Sequence, residues 1–460
     1  MLTSVLVLLG LAGMAFAVWQ ARLVINRPPV GVLWLVALAP FDGVLILFDL
    51  PGFVAGWKEA LVLGVFALSF LQRHRYERPP LPRWLVPAMA LLAVSLLSAA
   101  VNPSFGSVLS LKVGFFYLLV PVALWWVPFN AAERDRLVSI LMGVGVFVAL
   151  IGIAQQIVGA PALVSLGYQY NETVRFASGI LRSFSTFNQP FAFAFFVMTV
   201  MLVGVPVALE ERRRRRNVIF MACIPILLVG MASAVVRAAF LGLGFGGLWL
   251  AAHRYRFVGH VLVPVVIALA LLPAGAAAAT FSSTSLFQRT TGWAEATVEQ
   301  GIEPFGRGVG SVGAVAERLQ SNRSEAAAVF PSPPATVRYQ PDNYYVKTLV
   351  ELGPIGLWLL VATMGFAVLE ARSKSRWALE RRDASLAAGI TAATIAAITA
   401  ALVSAYWEIF PSDLLFWLLL GVLPSITSTT TLSPSSLREV GSKPMPESSS
   451  PPSLPVTTSR

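Results

Sequence analysis

The chain is poor in the residues on which disulfides and metal sites depend. Its 460 residues include one cysteine and three histidines, and only 12% are charged. A single cysteine excludes an intramolecular disulfide and any site built from several thiolates. No group of histidines, cysteines and acidic residues has the spacing of metal ligands, and no Ser-His-Asp arrangement stands out. We therefore expect no metal and no other cofactor.

The sequence consists largely of long hydrophobic runs. Hydrophobic side chains make up 56% of the sequence, and the mean hydropathy is +0.73, far above that of soluble proteins. Apolar runs of roughly 20 residues, each long enough to cross a bilayer, recur along the chain. The pattern predicts an all-α, polytopic integral-membrane helical bundle of about 13 spans. The spans are expected at 2–19, 30–49, 54–71, 84–101, 110–127, 137–158, 188–209, 217–233, 237–251, 257–279, 343–368, 384–406 and 411–424.

The basic residues predict how these spans are oriented. Clusters at 73–83, 133–136, 211–216, 253–256 and 372–382 all fall on one side of the expected spans. Lys and Arg are enriched in cytoplasmic loops, so this side is predicted to be cytoplasmic, with the N-terminus outside. The net charge of +11 then reflects topology and gives no reason to expect nucleic acid as a partner. We expect a multi-pass protein of the cell inner (cytoplasmic) membrane.

Two connections are too long to be simple turns, and both are predicted to be external. They cover 159–187 and 280–342, and long connections on a compact scaffold often carry function. Residues 425–460 are rich in Ser, Thr and Pro, which predicts a disordered cytoplasmic tail. The expected organisation is one transmembrane catalytic bundle over 1–424, followed by that tail.

Several basic residues fall on the outer side, against the topology signal. Arg237, in "ASAVVRAAFLG", joins two apolar runs with hardly any loop. Such an arginine either reaches the outer headgroups or binds an anion, and a guanidinium can hold two phosphate oxygens at once. Arg182 opens "RSFSTFNQPFAFAFF", where Asn188 is predicted to cap a helix that begins near Pro190. The other outer basic residues are Arg175, Arg289, Arg307, Arg318, Arg323, Arg338, Lys58, Lys112 and Lys347.

The large outer connection contains two further stretches of interest. "RTTGW" carries Arg289 and Trp293, and "FGRGVGSVG" surrounds Arg307 with glycines. No strand precedes the glycines, so a nucleotide-binding fold is excluded. The glycine-rich stretch is either a loop that packs close to a substrate or a plain turn.

The stretch "PDNYYVKTLVELGPIGLW" places polar residues at the mouth of an apolar helix. Asp342 is either an N-cap, favoured by the helix dipole, or an acid with a chemical role. Glu351 lies deeper and needs a partner, which Lys347 one turn earlier can supply. The "GPIG" that follows is predicted to kink the helix, and Glu408 is a further outer acid.

In this order, four of these stretches resemble motifs of the O-antigen ligase/polymerase superfamily, whose members are integral-membrane glycosyltransferases that use polyprenyl-diphosphate-linked glycans. They are the stretches that begin at Arg182, at Ala232, at Arg289 and at Pro341, and the resemblance runs from about 180 to 424. It implies a fold of the lipid-dependent glycosyltransferase type. It also implies a donor diphosphate bound by Arg182 and Arg237, with Arg289 as a third candidate. Lipopolysaccharide ligases carry a histidine at the mouth where this chain has Asp342, which favours a polymerase of repeat units.

The expected reaction extends a growing glycan acceptor from a polyprenyl-diphosphate-linked oligosaccharide on the outer face of the membrane, for a surface or exopolysaccharide. The reaction requires a base near the acceptor hydroxyl and cations that bind the leaving phosphates. A single displacement inverts the anomeric centre. Asp342 and Arg237 are the predicted catalytic residues. The predicted substrate contacts are Arg182, Arg289, Arg175, Asn188, Trp293, Arg307, Asn343 and Tyr344.

Three other functions stay open at this point. A ligase or oligosaccharyltransferase would use the same donor site and pass the glycan to a lipid core or a protein. A transporter or flippase would more often show internal repeats, and the sequence has none that we detect. A purely structural membrane protein leaves the outer arginines unexplained. Membrane lipid, a chain-length regulator and a flippase are the expected partners of a polymerase.

Overall fold

The computed structural model describes residues 18–48, 56–170, 173–177, 179–255, 293, 304–313 and 342–428. Within them the chain is almost entirely helical, beginning with a helical stretch over 18–26. The helices are α1 (Pro29–Leu38), α2 (Trp57–Gln72), α3 (Leu85–Val101), α4 (Phe105–Phe115), α5 (Leu119–Trp126), α6 (Ala131–Ser165), α7 (Pro190–Glu210), α8 (Arg215–Ala222), α9 (Ile224–Ser233), α10 (Arg237–His253), α11 (Tyr344–Trp377), α12 (Arg381–Ala400) and α13 (Ser412–Val422). Short 3-10 helices cover Ala39–Leu47, Phe116–Leu118, Tyr406–Glu408 and Leu423–Ser425, and two strands, β1 (Arg175–Ala177) and β2 (Ile180–Arg182), form a hairpin.

The predicted helical architecture is confirmed. Five helices are long and apolar enough to cross a membrane, namely Phe105–Trp126, α6, α7, α11 and α12, and the bent pair of α8 and α9 makes up to six. The other described helices coincide with expected spans but are shorter. The expected spans at 2–19 and 257–279 lie largely or wholly outside the described residues, so the count of about 13 stays a prediction.

Helices α7 and α12 form the centre of the bundle. In each, 89% of the most apolar 18-residue window is buried, against 44% in the other three long helices. The sequence of α12 explains this position, because it consists mainly of Ala, Thr and Gly. Small residues let helix backbones approach closely in a membrane. A methyl group on Gly389 would lie 2.8 Å from the Val203 Cα of α7, so the two backbones touch there.

The outer helices present apolar side chains to their surroundings. Ile157, Trp358 and Leu369 are 81%, 68% and 60% exposed, and many other large apolar residues of α2, α3 and α11 share this orientation. Contiguous apolar surface of this kind is unfavourable in water and is normal against lipid. The exposed apolar side chains and the five long apolar helices are consistent with a membrane protein.

Two long helices break where a glycine and a proline follow each other closely. Helix α6 has non-helical geometry at Gly159, two residues before Pro161, and α11 at Gly353, directly before Pro354. The kink predicted from "GPIG" is thus confirmed. The external connection expected from 159 starts later, because α6 resumes after Gly159 and runs to Ser165.

Ion pairs join the connections at one end of the bundle. Arg27 binds Glu133, which also closes a capping box with Asn130 at the start of α6. Arg134 binds Asp383 through two hydrogen bonds of 3.0 and 2.6 Å. Further pairs link Arg214 and Arg216 to Asp135, and Arg254 to Glu210. The basic connections predicted to share one side therefore meet at one end, which is called the basic end below.

The described chain continues past 425, where the tail was expected to begin. The Lys374 ammonium donates to the Ile426 carbonyl at 2.7 Å, and Ser428 pairs with Ala378 in a β-bridge. The first residues assigned to the tail are thus packed against the end of α11. The rest of the expected tail lies outside the described residues.

Candidate functional site

A buried strap connects the hairpin to α7 at the end of the bundle opposite the basic end. It comprises residues 183–187, all of them buried. The Gln155 side chain accepts from the amides of Phe184 and Ser185 and donates to the Ser185 carbonyl. Gln156 donates to the Leu181 carbonyl at 2.6 Å. Buried backbone groups need hydrogen-bond partners, and the two glutamines supply several of them at the strap and its entrance.

Three arginines meet beside this strap. Arg175 and Arg182 are opposite each other in the hairpin, and the charges of Arg175 and Arg237 both act on Arg182. Burial, together with these two like charges, lowers the pKa of Arg182 to about 10. The guanidinium therefore stays protonated at neutral pH. It donates to the Ala234 carbonyl at 3.2 Å and lies 4.9 Å from the Phe191 ring centroid.

Arg237 is the first residue of α10, so its charge adds to the positive end of the helix dipole. The turn before it is strained, since Val235 has a φ of 51°, which is rare for a β-branched residue. The strap contributes to this turn, because the Ser183 amide donates to the Ser233 carbonyl at 2.9 Å. Strain of this kind is typically stored where a side chain must be held in one place.

The mouth of α11 lies at the same end of the bundle. Asn343 caps the helix, and its side-chain oxygen accepts from the amides of Tyr345 and Val346 at 2.9 and 3.2 Å. The capping role considered for Asp342 thus belongs to the next residue. Asp342 is half-buried and directly precedes the cap, so its carboxylate lies beside the positive end of the α11 dipole.

The C-terminal end of α12 is close both to the start of α10 and to this mouth. Gly246 and Gly242 of α10 abut the carbonyls of Ala392 and Ala396 in turn, so α10 runs alongside α12 towards Arg237. The Tyr344 amide donates to the Ala401 carbonyl at 3.0 Å, just past the end of α12. The elements that carry Arg237 and Asp342 therefore approach the same helix end.

Aromatic rings make a continuous path between the two groups. From the Phe191 ring under Arg182, successive centroids lie 6.2 Å apart to Phe195, 4.8 Å to Tyr406, 5.7 Å to Trp407 and 5.0 Å to Tyr344. Such tilted and edge-to-face pairs pack tightly and resist deformation. The path ties the arginine group to the mouth of α11 through one rigid layer.

A buried charge cluster lies one turn below the mouth. The Lys347 ammonium is 2.7 Å from a Glu351 oxygen and 2.9 Å from a Glu408 oxygen, and the side chains are only 7%, 5% and 3% exposed. The predicted pairing of Lys347 with Glu351 is confirmed, and Glu408 joins it. The two other lysines predicted to lie on the outer side are also paired, Lys58 with Asp42 and Lys112 with Glu59, each at 2.7 Å. None of these three lysines needs an anionic ligand.

The remaining predicted contacts are distributed as follows. Tyr344 is half-buried at the mouth and packs on Trp407, and the Asn343 oxygen is engaged in the helix cap. The prediction that Asn188 caps α7 is wrong, because the N-cap is Gln189 and its side chain makes no capping bond. Trp293 has helical geometry and is half-buried, and Arg307 is half-buried in the glycine-rich stretch. Arg289, Arg318, Arg323 and Arg338 lie outside the described residues.

Sequence patterns did not single out the residues that hold the site together. Gln155 and Gln156 sit in an apolar run, and two adjacent amides at membrane depth are costly unless they bond to something. That cost was the available signal. Tyr406 and Trp407, next to Glu408, gave no comparable one, because aromatic residues are common in membrane helices.

Comparison with known proteins adds no assignment. No protein-family model matches the chain, and a search of curated proteins also finds no match. The resemblance to the O-antigen ligase/polymerase superfamily therefore rests on the four motifs alone.

Proposed function

We propose that this protein is a membrane glycosyltransferase that joins oligosaccharide repeat units, taken from a polyprenyl-diphosphate donor, on the outer face of the cytoplasmic membrane. The observation that carries the proposal is the convergence of Arg175, Arg182 and Arg237 at the end of the bundle opposite its basic end. Topology does not require cations there. Three guanidinium groups and the N-terminus of α10 create a positive field that favours a polyanion close to lipid.

A lipid-linked diphosphate matches this field in charge and in location. Guanidinium groups bind phosphate oxygens through paired hydrogen bonds, and they stabilise the charge that develops when the diphosphate leaves. Arg182 is preorganised for this task by the Ala234 carbonyl and the Phe191 ring. A preorganised cation loses little conformational freedom when the charge appears.

Asp342 is the proposed general base. Its carboxylate would accept the proton of the acceptor hydroxyl as that oxygen bonds to the anomeric carbon. The bond from the anomeric carbon to the phosphate oxygen breaks, and its electron pair leaves with the diphosphate. A single displacement of this kind inverts the anomeric centre, and it requires the base and the cations on opposite sides of the sugar. The approach of the elements that carry Asp342 and Arg237 to the same end of α12 supports a shared site for the two residues.

Complementation of a deletion strain tests the site. Arg182→Ala, Arg237→Ala and Asp342→Asn should each abolish long polysaccharide while the protein still reaches the membrane. We expect losses of about 100-fold, because each removes a charge that acts in the transition state. Polysaccharide length on gels and membrane protein level on immunoblots are the measurements.

Arg213→Ala is the matched control, since Arg213 is exposed at the basic end. It should leave the product unchanged. Full-length product from both Arg237→Ala and Asp342→Asn would show that the site is wrong. The same gels separate polymerase from ligase, because a deleted polymerase leaves single-repeat products and a deleted ligase accumulates lipid-linked polymer.

A second candidate, a flippase for a lipid-linked glycan, is favoured by the broken helices. Transporters build their sites from discontinuous helices with buried charges near the break, and α11 has both, at Gly353 and Lys347. Purified protein in detergent distinguishes the two functions. Formation of longer glycans from a lipid-diphosphate donor requires a transferase, whereas a flippase has no activity without a membrane.

A further inference from the structure

The glycine-rich stretch 304–313 is packed into the bundle beside the break in α11. Pro354 has no N–H, so the Val350 carbonyl cannot receive its usual helical bond, and the turn at Gly353 disrupts the next one. The amides of Arg307 and Gly308 donate to the Val350 and Glu351 carbonyls at 2.9 and 3.0 Å. The stretch thus supplies the hydrogen bonds that the break removes from the helix, as a membrane setting requires.

Side chains attach the stretch at two further points. The Gly310 amide donates to a Glu351 carboxylate oxygen at 2.9 Å, while the other oxygen of that carboxylate accepts from Lys347 at 2.7 Å. The Val309 amide donates to the Ser98 hydroxyl of α3 at 3.1 Å. Glu351 therefore links the stretch to the buried cluster, and Lys347 links it onward to Glu408.

The glycines are required by close approach and by backbone geometry. A methyl group on Gly310 would lie 2.5 Å from the Gly106 carbonyl of α4, and one on Gly306 would lie 2.5 Å from the Glu351 carbonyl carbon. Both residues have positive φ, as do Gly308 and Gly313, a conformation that L side chains rarely adopt. The sequence therefore specifies a wedge between α4 and α11 rather than a flexible loop.

We propose that residues 304–313 form a fixed wall of the outer site, and that Lys347, Glu351 and Glu408 are positioning residues for glycosyl transfer. The cluster holds the wall and the first turn of α11 as one unit, so Arg307 and Asp342 keep a constant relative position through the reaction. This role rests on the proposed function, whereas the docking of the wall does not. A wall differs from a lid in that it stays docked during turnover.

Disulfide trapping tests docking and turnover separately. Ser98→Cys and Val309→Cys are combined in a Cys223→Ser background, because the side chain of residue 98 lies against residue 309, with the Ser98 hydroxyl 3.1 Å from the Val309 amide nitrogen. We expect the pair to cross-link in isolated membranes and the cross-linked protein to make polysaccharide as the reduced protein does. Failure to cross-link overturns the docking. An inactive cross-linked protein that recovers on reduction overturns the wall, because the stretch must then move. If the reduced pair and the wild-type chain both fail to make polysaccharide, the proposed function fails and the cross-link still reports docking.

Substitutions test the positioning role. Glu351→Gln keeps an oxygen for the Gly310 amide but presents an NH2 group to Lys347, so it should lose less activity than Glu351→Leu. Glu351→Leu should lower kcat by about 100-fold, the effect of a misplacement of roughly 1 Å. The KM for the lipid-diphosphate donor should change little in both, because the arginines bind it elsewhere. A change confined to KM, or equal loss in both variants, contradicts the proposal.

Gly310→Ala adds a backbone test with a matched control. Its methyl group would clash with the Gly106 carbonyl. A methyl group added to Gly365 of α11 would have no atom within 4 Å beyond the adjacent backbone of its own helix. Gly310→Ala should reduce the cross-link between residues 98 and 309 and the polysaccharide together. Gly365→Ala should leave both unchanged, and an unaffected Gly310→Ala protein would contradict the wedge.

Discussion

At the scale of single residues, the candidate site depends on side chains held against their local preference. Arg182 keeps its charge beside two other arginines, although burial lowers its pKa. Val235 adopts a left-handed backbone conformation directly before the cap of α10. Both features cost free energy, and proteins retain such costs mainly where function requires a fixed geometry.

The strain at Val235 gives a prediction. Val235→Gly should raise the thermal stability, because it removes backbone strain of about 1–3 kcal/mol, partly offset by the entropy that glycine loses on folding. It should also lower polysaccharide output, because the start of α10 and Arg237 become less fixed. Thermal unfolding of the purified protein and gel analysis of the product are the measurements.

Val235→Ala is the control for this change, since alanine keeps the strain and loses only the apolar side chain. It should be no more stable than the wild type. A Val235→Gly protein with reduced stability would show that the turn is not strained.

Which residues would matter could be predicted only in part. Arg237 and Arg182 stood out because charges on the outer side run against the topology rule, and the structure brings them together. The cap of α7 was misplaced by one residue, because Asn188 is the better capping type and tertiary contacts of the strap decided otherwise. Gln155 forms hydrogen bonds with residues 29 and 30 positions away in the sequence, beyond the range of any local pattern.

At the scale of elements, the break in α11 and the stretch 304–313 explain each other. Pro354 lacks the N–H group that would bond to the Val350 carbonyl, and the amides of the stretch bond to the freed carbonyls instead. The kink was predictable from proline and glycine in sequence. The partner of the freed carbonyls was not, because hydrogen bonds between distant segments leave no periodic signal.

Pro354→Ala should loosen this arrangement. The new N–H can bond to the Val350 carbonyl, which the Arg307 amide now occupies, so α11 competes with the stretch for the same acceptor. We expect the amides of Arg307 and Gly308 to exchange hydrogen faster. Hydrogen exchange with mass spectrometry on the purified protein measures this effect.

Pro206→Ala in α7 is the matched control, since Pro206 also lies inside a long helix. It should leave exchange in 304–313 unchanged. Slow exchange in Pro354→Ala would mean that other contacts, such as that of Val309 with Ser98, hold the stretch alone.

At the scale of the whole molecule, the charges divide the bundle into two ends. At the basic end, arginines are paired with Asp135, Asp383 and Glu210. At the opposite end, the charges of Arg175 and Arg237 act on Arg182. Hydropathy was enough to predict a helical bundle. The central position of α12 depends on its small residues, which a hydropathy scale does not distinguish.

The orientation of these ends can be measured by cysteine labelling. In a Cys223→Ser background, Ile180→Cys in the hairpin should react with a membrane-impermeant maleimide in spheroplasts. Arg213→Cys at the basic end should react only after the membrane is opened, because basic connections stay in the cytoplasm. Both positions are exposed.

The Cys223→Ser protein without added cysteine gives the background signal. Labelling in the reverse order would place the arginines in the cytoplasm and exclude an external reaction. Equal labelling of both before opening would show that the preparation is leaky.

The dependence of α11 on 304–313 has a consequence for biosynthesis. The stretch precedes the helix in the chain, so the amides that complete the broken helix leave the ribosome before the carbonyls they will bind. Glu408 is made later, so of the two acids paired with Lys347 in the described residues, Glu351 is present first. The order of synthesis thus matches the order in which buried polar groups need partners. A rearranged gene that encoded α11 ahead of the stretch would expose the incomplete helix to lipid during insertion.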